Sequence, residues 1–354
     1  MPGVYISYPF CAQKCTYCNF ASGVFSRELE NAYLQSLREE ILETTWPDNP
    51  DTLYLGGGTP SLLDAEQLAS ILTALPSANW TEATMEAAPG GLDADKIASW
   101  VKLGINRVSL GTQSFVTSEL RRTGRRHDAK VVQEEITRLQ QHGISNINLD
   151  LIAGLPGQNA DSWEVSLDWV ERLGAPHVSV YMLEVDDDSR LGAEVIAFGK
   201  RYGAADIPSE EQIADLYQRA VERLAAMGIH RYEISNFARP GFESRHNLKY
   251  WRRDPYLGFG SDAHSFDGES RWANPETPQE YVRERRREPH PCDPASETLM
   301  LGLRLTEGVD ADWSRYAEAI ERRIAEGLLL REGNRLKLTS RGVLFSNTVF
   351  ADFV

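Results

Sequence analysis

The sequence predicts an α/β protein organised on a parallel sheet, and two observations carry that expectation. Short runs rich in valine, isoleucine and leucine recur at 4–8, 52–56, 83–87, 107–111, 147–152 and 177–183 (VYISY, TLYLG, ATMEA, RVSLG, INLDLI, HVSVYML). Between them lie segments of helical spacing, so strand and helix alternate through six units. Six βα units in a row predict a parallel sheet, open or closed into a barrel, with functional groups at the C-terminal strand ends. At 354 residues the chain has room for such a domain and a smaller one beside it.

The elements follow in order. Leu29, Tyr33, Leu34, Leu37, Ile41 and Leu42 share one face of a first helix. Asp64 and Asp93 stand where N-caps belong, ahead of AEQLASILTAL and ADKIASWVKLG. After about residue 190 the rhythm changes to a long helix near 208–227 and then to the irregular, aromatic stretch YEISNFARPGFESRHNLKYWRRDPYLGFG. Proline and glutamate thicken around 274–295, which reads as a boundary. Beyond it come helices and then LLLREGNRLKLTSRG, two apolar runs flanking a plausible hairpin turn at EGN. We therefore expect a barrel-type domain over 1–235, an extension over 236–290 and a small helix-plus-hairpin domain over 291–354.

Composition narrows the function. Lys and Arg number 37 against 52 Asp and Glu, a net charge of −15, which repels a nucleic-acid backbone. The one basic run, RERRRE at 283–288, carries its own acids and reads as a solvated helix face. Residues 1–20 lack the pattern of a secretion signal and no stretch is long enough to span a bilayer, so we expect a cytoplasmic protein.

Three of the four cysteines, Cys11, Cys15 and Cys18, fall within eight residues directly after the first strand; the fourth is Cys292. Such bunching in a reducing compartment points to a metal rather than to disulfides. Structural zinc asks for four ligands, and no histidine or further cysteine lies nearby. A four-iron cluster held by three thiolates leaves one iron open to a substrate or cofactor. A zinc site completed by a distant histidine or by Cys292 is the alternative.

Here the residues carry a family resemblance. The spacing C-x3-C-x2-C, with Tyr17 before the last cysteine, resembles the radical S-adenosylmethionine (radical SAM) superfamily. The resemblance implies a six-unit partial (β/α) barrel, a [4Fe-4S] cluster on Cys11, Cys15 and Cys18, and S-adenosylmethionine chelated by the open iron, whose cleavage yields a deoxyadenosyl radical. It also implies an electron donor for the cluster. The loop LGGGTP, with Gly56, Gly57 and Gly58, permits close backbone approach but matches no phosphate-binding loop. It is similar to the glycine-rich loop that receives the methionine amino group in that superfamily.

Glu86, Gln113 and Asp150 each end an apolar run; taken singly, such residues are usually caps or solvated turns. With Tyr5, Tyr17, Gly57, Gly58, Thr59 and Arg125 they resemble, in order and spacing, the S-adenosylmethionine contacts of the oxygen-independent coproporphyrinogen III oxidase group. That likeness covers nearly the whole chain and extends to a winged-helix-like C-terminal domain around LGLRLTEG and RLKLTSRG. Two positions depart from the group's wording: Ala88 stands where Asn is common, and SDAHS replaces PGAHS.

Coproporphyrinogen dehydrogenases of this group carry a further cysteine two positions after the third, where this chain has Phe20. The relatives lacking it are the HemW-type haem chaperones, which share HNLKYW, here His246 to Trp251. The resemblance therefore implies haem as cargo, with respiratory proteins as its acceptors. A neutral imidazole is a good haem ligand and aromatics can cover the macrocycle, which makes His246 the candidate ligand and His264 a second. Oxidative decarboxylation of coproporphyrinogen III is the alternative function.

Overall fold

The computed structural model describes every residue except Pro47, Ala78, Arg286 and Arg287, so part of the basic run 283–288 lies outside the described residues. Within that run, Arg285 is paired with Glu39 and Glu43 of the first helix.

All six expected strands form. β1 (Gly3–Tyr8), β2 (Thr52–Gly57), β3 (Glu82–Ala87), β4 (Arg107–Gln113), β5 (Asn146–Ala153) and β6 (His177–Met182) pair in chain order, each pair parallel. Beyond β6 the sheet continues through the antiparallel β7 (His230–Arg231) and β8 (Asn236–Ala238), with β8 against β6. On the other side β9 (Tyr256–Phe259) lies parallel to β1, followed by the meander β10 (His264–Phe266), β11 (Ser270–Ala273) and β12 (His290–Pro291). β1 and β6 are each bordered by other strands and do not pair with one another. The result is an α/β fold on a mostly parallel, unclosed sheet, the arrangement expected of a partial barrel. The strands of 230–291 run two to four residues. That is too short for periodicity to show, so the sequence there reads as irregular.

Each core strand divides its residues between two environments. One face is apolar and sealed: Val4, Ile6, Leu53, Leu55, Met85, Val108, Leu149 and Val178 are all fully buried. The helices that cover it contribute Leu37, Ile41, Trp100 and Trp163. Asp64 and Asp93 cap their helices as expected, accepting from the backbone N–H of Gln67 and Lys96. The opposite face of the same strands is polar: Tyr5, Thr52, Tyr54, Glu82, Glu86, Arg107, Ser109, Asn148, Asp150, His177 and Ser179. Because side chains alternate across a strand, one face builds the core while the other lines the interior.

The helix Arg245–Trp251 closes the N-terminal ends of the strands. Glu82, first residue of β3, accepts hydrogen bonds from the backbone N–H of Arg245 and His246 (both 3.0 Å) and from the Ser244 hydroxyl (3.2 Å). A carboxylate at the start of a helix satisfies its free N–H groups and complements its dipole. Gly3, at the start of β1, lies close beneath: a Cβ there would come within 3.2 Å of the His246 ring.

Toward the C-terminus, β13 (Val309–Asp310), β14 (Leu329–Glu332) and β15 (Arg335–Leu338) form a separate three-stranded antiparallel sheet. Its hairpin turns at Gly333–Asn334, with Gly333 at a φ of 63°, where the EGN signal placed it. No helix among the described residues is long and apolar enough to cross a membrane.

Candidate functional site

The loop after β1 carries Cys11, Cys15 and Cys18, all partly buried and all free thiols. Its backbone is pinned from several sides. Cys11 N–H donates to the Gly23 carbonyl (2.8 Å), Thr16 N–H to the Thr123 carbonyl (3.2 Å), and Leu191 N–H to the Thr16 carbonyl (2.8 Å). The glycines after β2 support the same loop. Gly58 N–H donates to the Tyr8 carbonyl (2.8 Å) and Thr59 N–H to the Phe10 carbonyl (3.0 Å). A Cβ on Gly58 would come within 2.8 Å of the Pro9 and Tyr8 backbone, so only glycine lets the two loops meet.

The Cys11 thiol is held by its surroundings. Burial pushes the Cys11 thiol up; hydrogen bonding to Thr59 and Ser22 works the other way, and Cys18 and Cys15 raise it further. Tyr17 and Arg125 adjoin Cys15: burial and Cys15 raise the Tyr17 phenol while Arg125 opposes them. Arg125 donates from Nη1 to the Gly111 carbonyl (2.6 Å), yet its Nε is buried without a partner. A buried guanidinium with an unused donor suits an anionic group such as a carboxylate.

The donor set suits an iron–sulfur cluster, since three soft, partly buried free thiols lie on one loop. Among the described residues no three His, Cys, Asp or Glu side chains converge to surround one metal ion. A cubane does not require that, because each thiolate binds a different iron.

Polar side chains from the neighbouring strands adjoin this loop. Tyr5 stacks on Tyr54 at 6.2 Å, and its hydroxyl lies close to Gly57. Tyr54 donates to Glu86 Oε1 (2.8 Å). Gln113 takes a φ of 68° at an irregularity in the β4–β5 register, a left-handed conformation that is costly without glycine and re-aims its side chain. Asp150 accepts from Ser109 Oγ (3.1 Å) and from Asn148 Nδ2 (2.8 Å).

Asn148 is itself held. With its Nδ2 donating to Asp150, its Oδ1 accepts from His177 Nδ1 (2.6 Å). His177 Nε2 then accepts from the Tyr232 hydroxyl (2.9 Å), which accepts from Ser244 N–H (3.1 Å). The donors all point from the floor toward the Asp150 carboxylate, and the network assigns His177 the Nδ1–H tautomer.

Burial and the charge of Asp150 push the Glu86 carboxyl up to about 7, against hydrogen bonds from Tyr54 and Gly57 and the charge of Arg107. The folded state therefore keeps this proton above the ordinary value of 4.5, and Glu86 lowers stability progressively as pH rises from about 4.5 to about 7. Glu86→Gln is expected to stabilise the protein by on the order of 2 kcal/mol at pH 8 and to change little at pH 4. Urea unfolding at both pH values checks this, and equal shifts would contradict it.

The structure thus brings Cys11, Cys15, Cys18, Tyr5, Tyr17, Gly57, Gly58, Thr59, Glu86, Gln113, Arg125 and Asp150 to one end of the sheet. It does not bring His246 there. That ring is fully buried at the floor beside Thr52, the first residue of β2. Nδ1 is bonded to Thr52 Oγ1 (3.0 Å) and Nε2 to the Tyr250 hydroxyl (2.7 Å). Burial and the nearby Lys249 and Arg107 charges hold its pKa down at about 3, so it is neutral. Both nitrogens are engaged, and neither is presented to a ligand. His264 is exposed at the first residue of β10, directly after the turn that leaves β9. Because β9 runs parallel to β1, that turn lies at the cysteine-loop end. The sequence reading missed His177, Asn148, Ser109, Tyr54 and Tyr232. The signal for the strand residues among them was present, as polar residues at every second position inside the apolar runs.

Comparison with known proteins identifies the family and the fold. Residues 5–170 match the model of the radical SAM superfamily and residues 290–345 that of the HemN C-terminal domain. The Bacillus subtilis protein named heme chaperone HemW is 34% identical, over 100% of this chain and 99% of that protein. The Escherichia coli protein of the same name is 30% identical, over 99% of this chain and 97% of that one. The solved structure of coproporphyrinogen III oxidase (HemN) from Escherichia coli superposes with a TM-score of 0.83 at 22% identity, over 99% of this chain and 90% of that one, which establishes the shared fold. The chain belongs to the HemW family within the radical SAM superfamily.

Proposed function

We propose that this protein is a cytoplasmic haem chaperone that binds a [4Fe-4S] cluster, S-adenosylmethionine and haem, and passes haem to respiratory-type acceptor proteins. The observation that carries the reading is the full-length likeness to proteins named heme chaperone HemW, joined to three free thiols at the C-terminal end of the sheet. Cys11, Cys15 and Cys18 would hold the cluster, which supplies a redox centre with one iron uncommitted by protein. Arg125 would bind the carboxylate of S-adenosylmethionine, and Tyr5, Tyr17, Gly57, Gly58, Thr59, Glu86, Gln113 and Asp150 would line its site. Asp150 and Glu86 accept hydrogen bonds, so they favour a ligand rich in hydroxyl or ammonium donors. An electron donor would serve the cluster at its loop. We divide the chain at 235 and 290 into barrel, extension and C-terminal domain.

Purified, anaerobically reconstituted protein is expected to take up haem stoichiometrically and to surrender it to an apo-haemoprotein, and to leave coproporphyrinogen III unchanged. Absorption spectra follow the first, product chromatography the second. Coproporphyrinogen turnover without haem uptake would favour the dehydrogenase reading instead.

A further inference from the structure

The segment after β6 arches over the cysteine loop. Leu191 N–H is bonded to the Thr16 carbonyl, the Arg190 guanidinium to the Lys14 carbonyl, and Asn19 Nδ2 to Asp186 (3.3 Å). Its short helix Arg190–Ile196 ends in an apolar group that nothing among the described residues covers. Ile196 is 58% exposed and Phe198 96%, with Val195 beside them. The backbone there is unusual as well. Phe198 (φ 52°) and Tyr202 (φ 59°) both sit in the left-handed region that non-glycine residues avoid. Such conformations are costly for residues other than glycine, and the almost fully exposed Phe198 ring makes little packing contact to offset the cost.

Charge accompanies this apolar group. Lys200 and Arg201 follow Phe198 directly and are exposed, and no ion pair with a carboxylate involves either among the described residues. Arg190 lies 5.6 Å over the Tyr202 ring. The neighbouring acids are engaged or set apart. Glu194 is turned onto the Arg201 backbone N–H (3.4 Å), and Asp186, Asp187 and Asp188 stand at the opening of the segment, ahead of the helix. On a chain of net charge −15, this places exposed aromatic and aliphatic surface beside a local pair of cations.

We infer that residues 195–201 form a docking site for the tetrapyrrole, with Ile196 and Phe198 against the macrocycle and Lys200 and Arg201 receiving its carboxylates. This rests on the haem reading above. The chemistry matches in both parts: a porphyrin carrying two propionates presents an apolar plate with an anionic edge, and this surface presents apolar contact with a cationic edge. The site also lies on the segment bonded to the cysteine loop, whereas the buried His246 ring offers no such access.

The test titrates haem, iron-free protoporphyrin IX and its dimethyl ester into the reconstituted full-length protein. Ile196→Ser with Phe198→Ser is expected to weaken all three roughly tenfold or more, as loss of apolar burial dictates. Lys200→Glu with Arg201→Glu is expected to weaken the two acids but not the ester. Phe345→Ser, at an exposed aromatic of the C-terminal domain, should change nothing. All five replaced residues are exposed, so these variants are expected to fold, which thermal unfolding verifies. Unchanged haem affinity in both pairs, with a wild-type protein that binds haem, overturns this inference and leaves the haem reading standing. A wild-type protein that binds no haem removes both. Variants that keep haem but cease to sediment with anionic phospholipid vesicles would assign the surface to lipid and likewise overturn it.

Discussion

His246→Ala is expected to destabilise the fold by about 3 kcal/mol while leaving the haem stoichiometry of the folded protein unchanged. The ring is fully buried and joins Thr52 to Tyr250, so its removal opens a cavity and takes a partner from the buried Thr52 hydroxyl and the half-buried Tyr250 hydroxyl. It also loosens the helix whose first N–H groups rest on Glu82. The pH dependence follows from the depressed pKa. The unfolded ring titrates near 6.5 and the folded one at about 3, so the unfolded state takes up the proton first. Wild-type stability therefore falls as pH drops from about 6.5 toward 3, and the alanine variant lacks this part of the loss. The gap between them should narrow in acid. Urea unfolding at pH 7.5 and pH 5, paired with a haem titration, measures both halves. A stable variant that no longer binds haem would return His246 to the role of ligand.

The second large effect belongs to the thiols. Replacing Cys11, Cys15 or Cys18 by serine is expected to abolish a reconstituted iron–sulfur chromophore, because a hydroxyl is a poor substitute for thiolate on iron and the loop offers no spare sulfur. Cys292→Ser should leave the chromophore intact. Cys292 follows β12 and adjoins Arg271, Arg253 and Glu297, away from the cysteine loop.

Much of this was legible in the sequence, for physical reasons. The six strands announced themselves because one face of each is apolar, and Asp64 and Asp93 announced helix starts because caps depend on local chemistry. The cysteine spacing and the GGG loop were legible because both are continuous in sequence. What escaped depends on register. Asn148 reaches His177 only because β5 and β6 pair in parallel at those residues, and His177 reaches Tyr232 only through a chain reversal. The motif HNLKYW was visible, but its place was not. Motif and floor are joined by Glu82, which is 164 residues away from His246, and no local pattern foretells that the helix would close the end of the sheet opposite the cysteines.

The most direct test of the central claim, an iron–sulfur site left one protein ligand short beside a pocket for S-adenosylmethionine, is electron paramagnetic resonance of the anaerobically reconstituted, reduced protein with and without that cofactor. The account predicts the signal of a single [4Fe-4S] cluster that shifts when S-adenosylmethionine is added, persists in Cys292→Ser and is absent in Cys15→Ser. A signal indifferent to the cofactor, or a protein that takes up zinc and no iron, would contradict it.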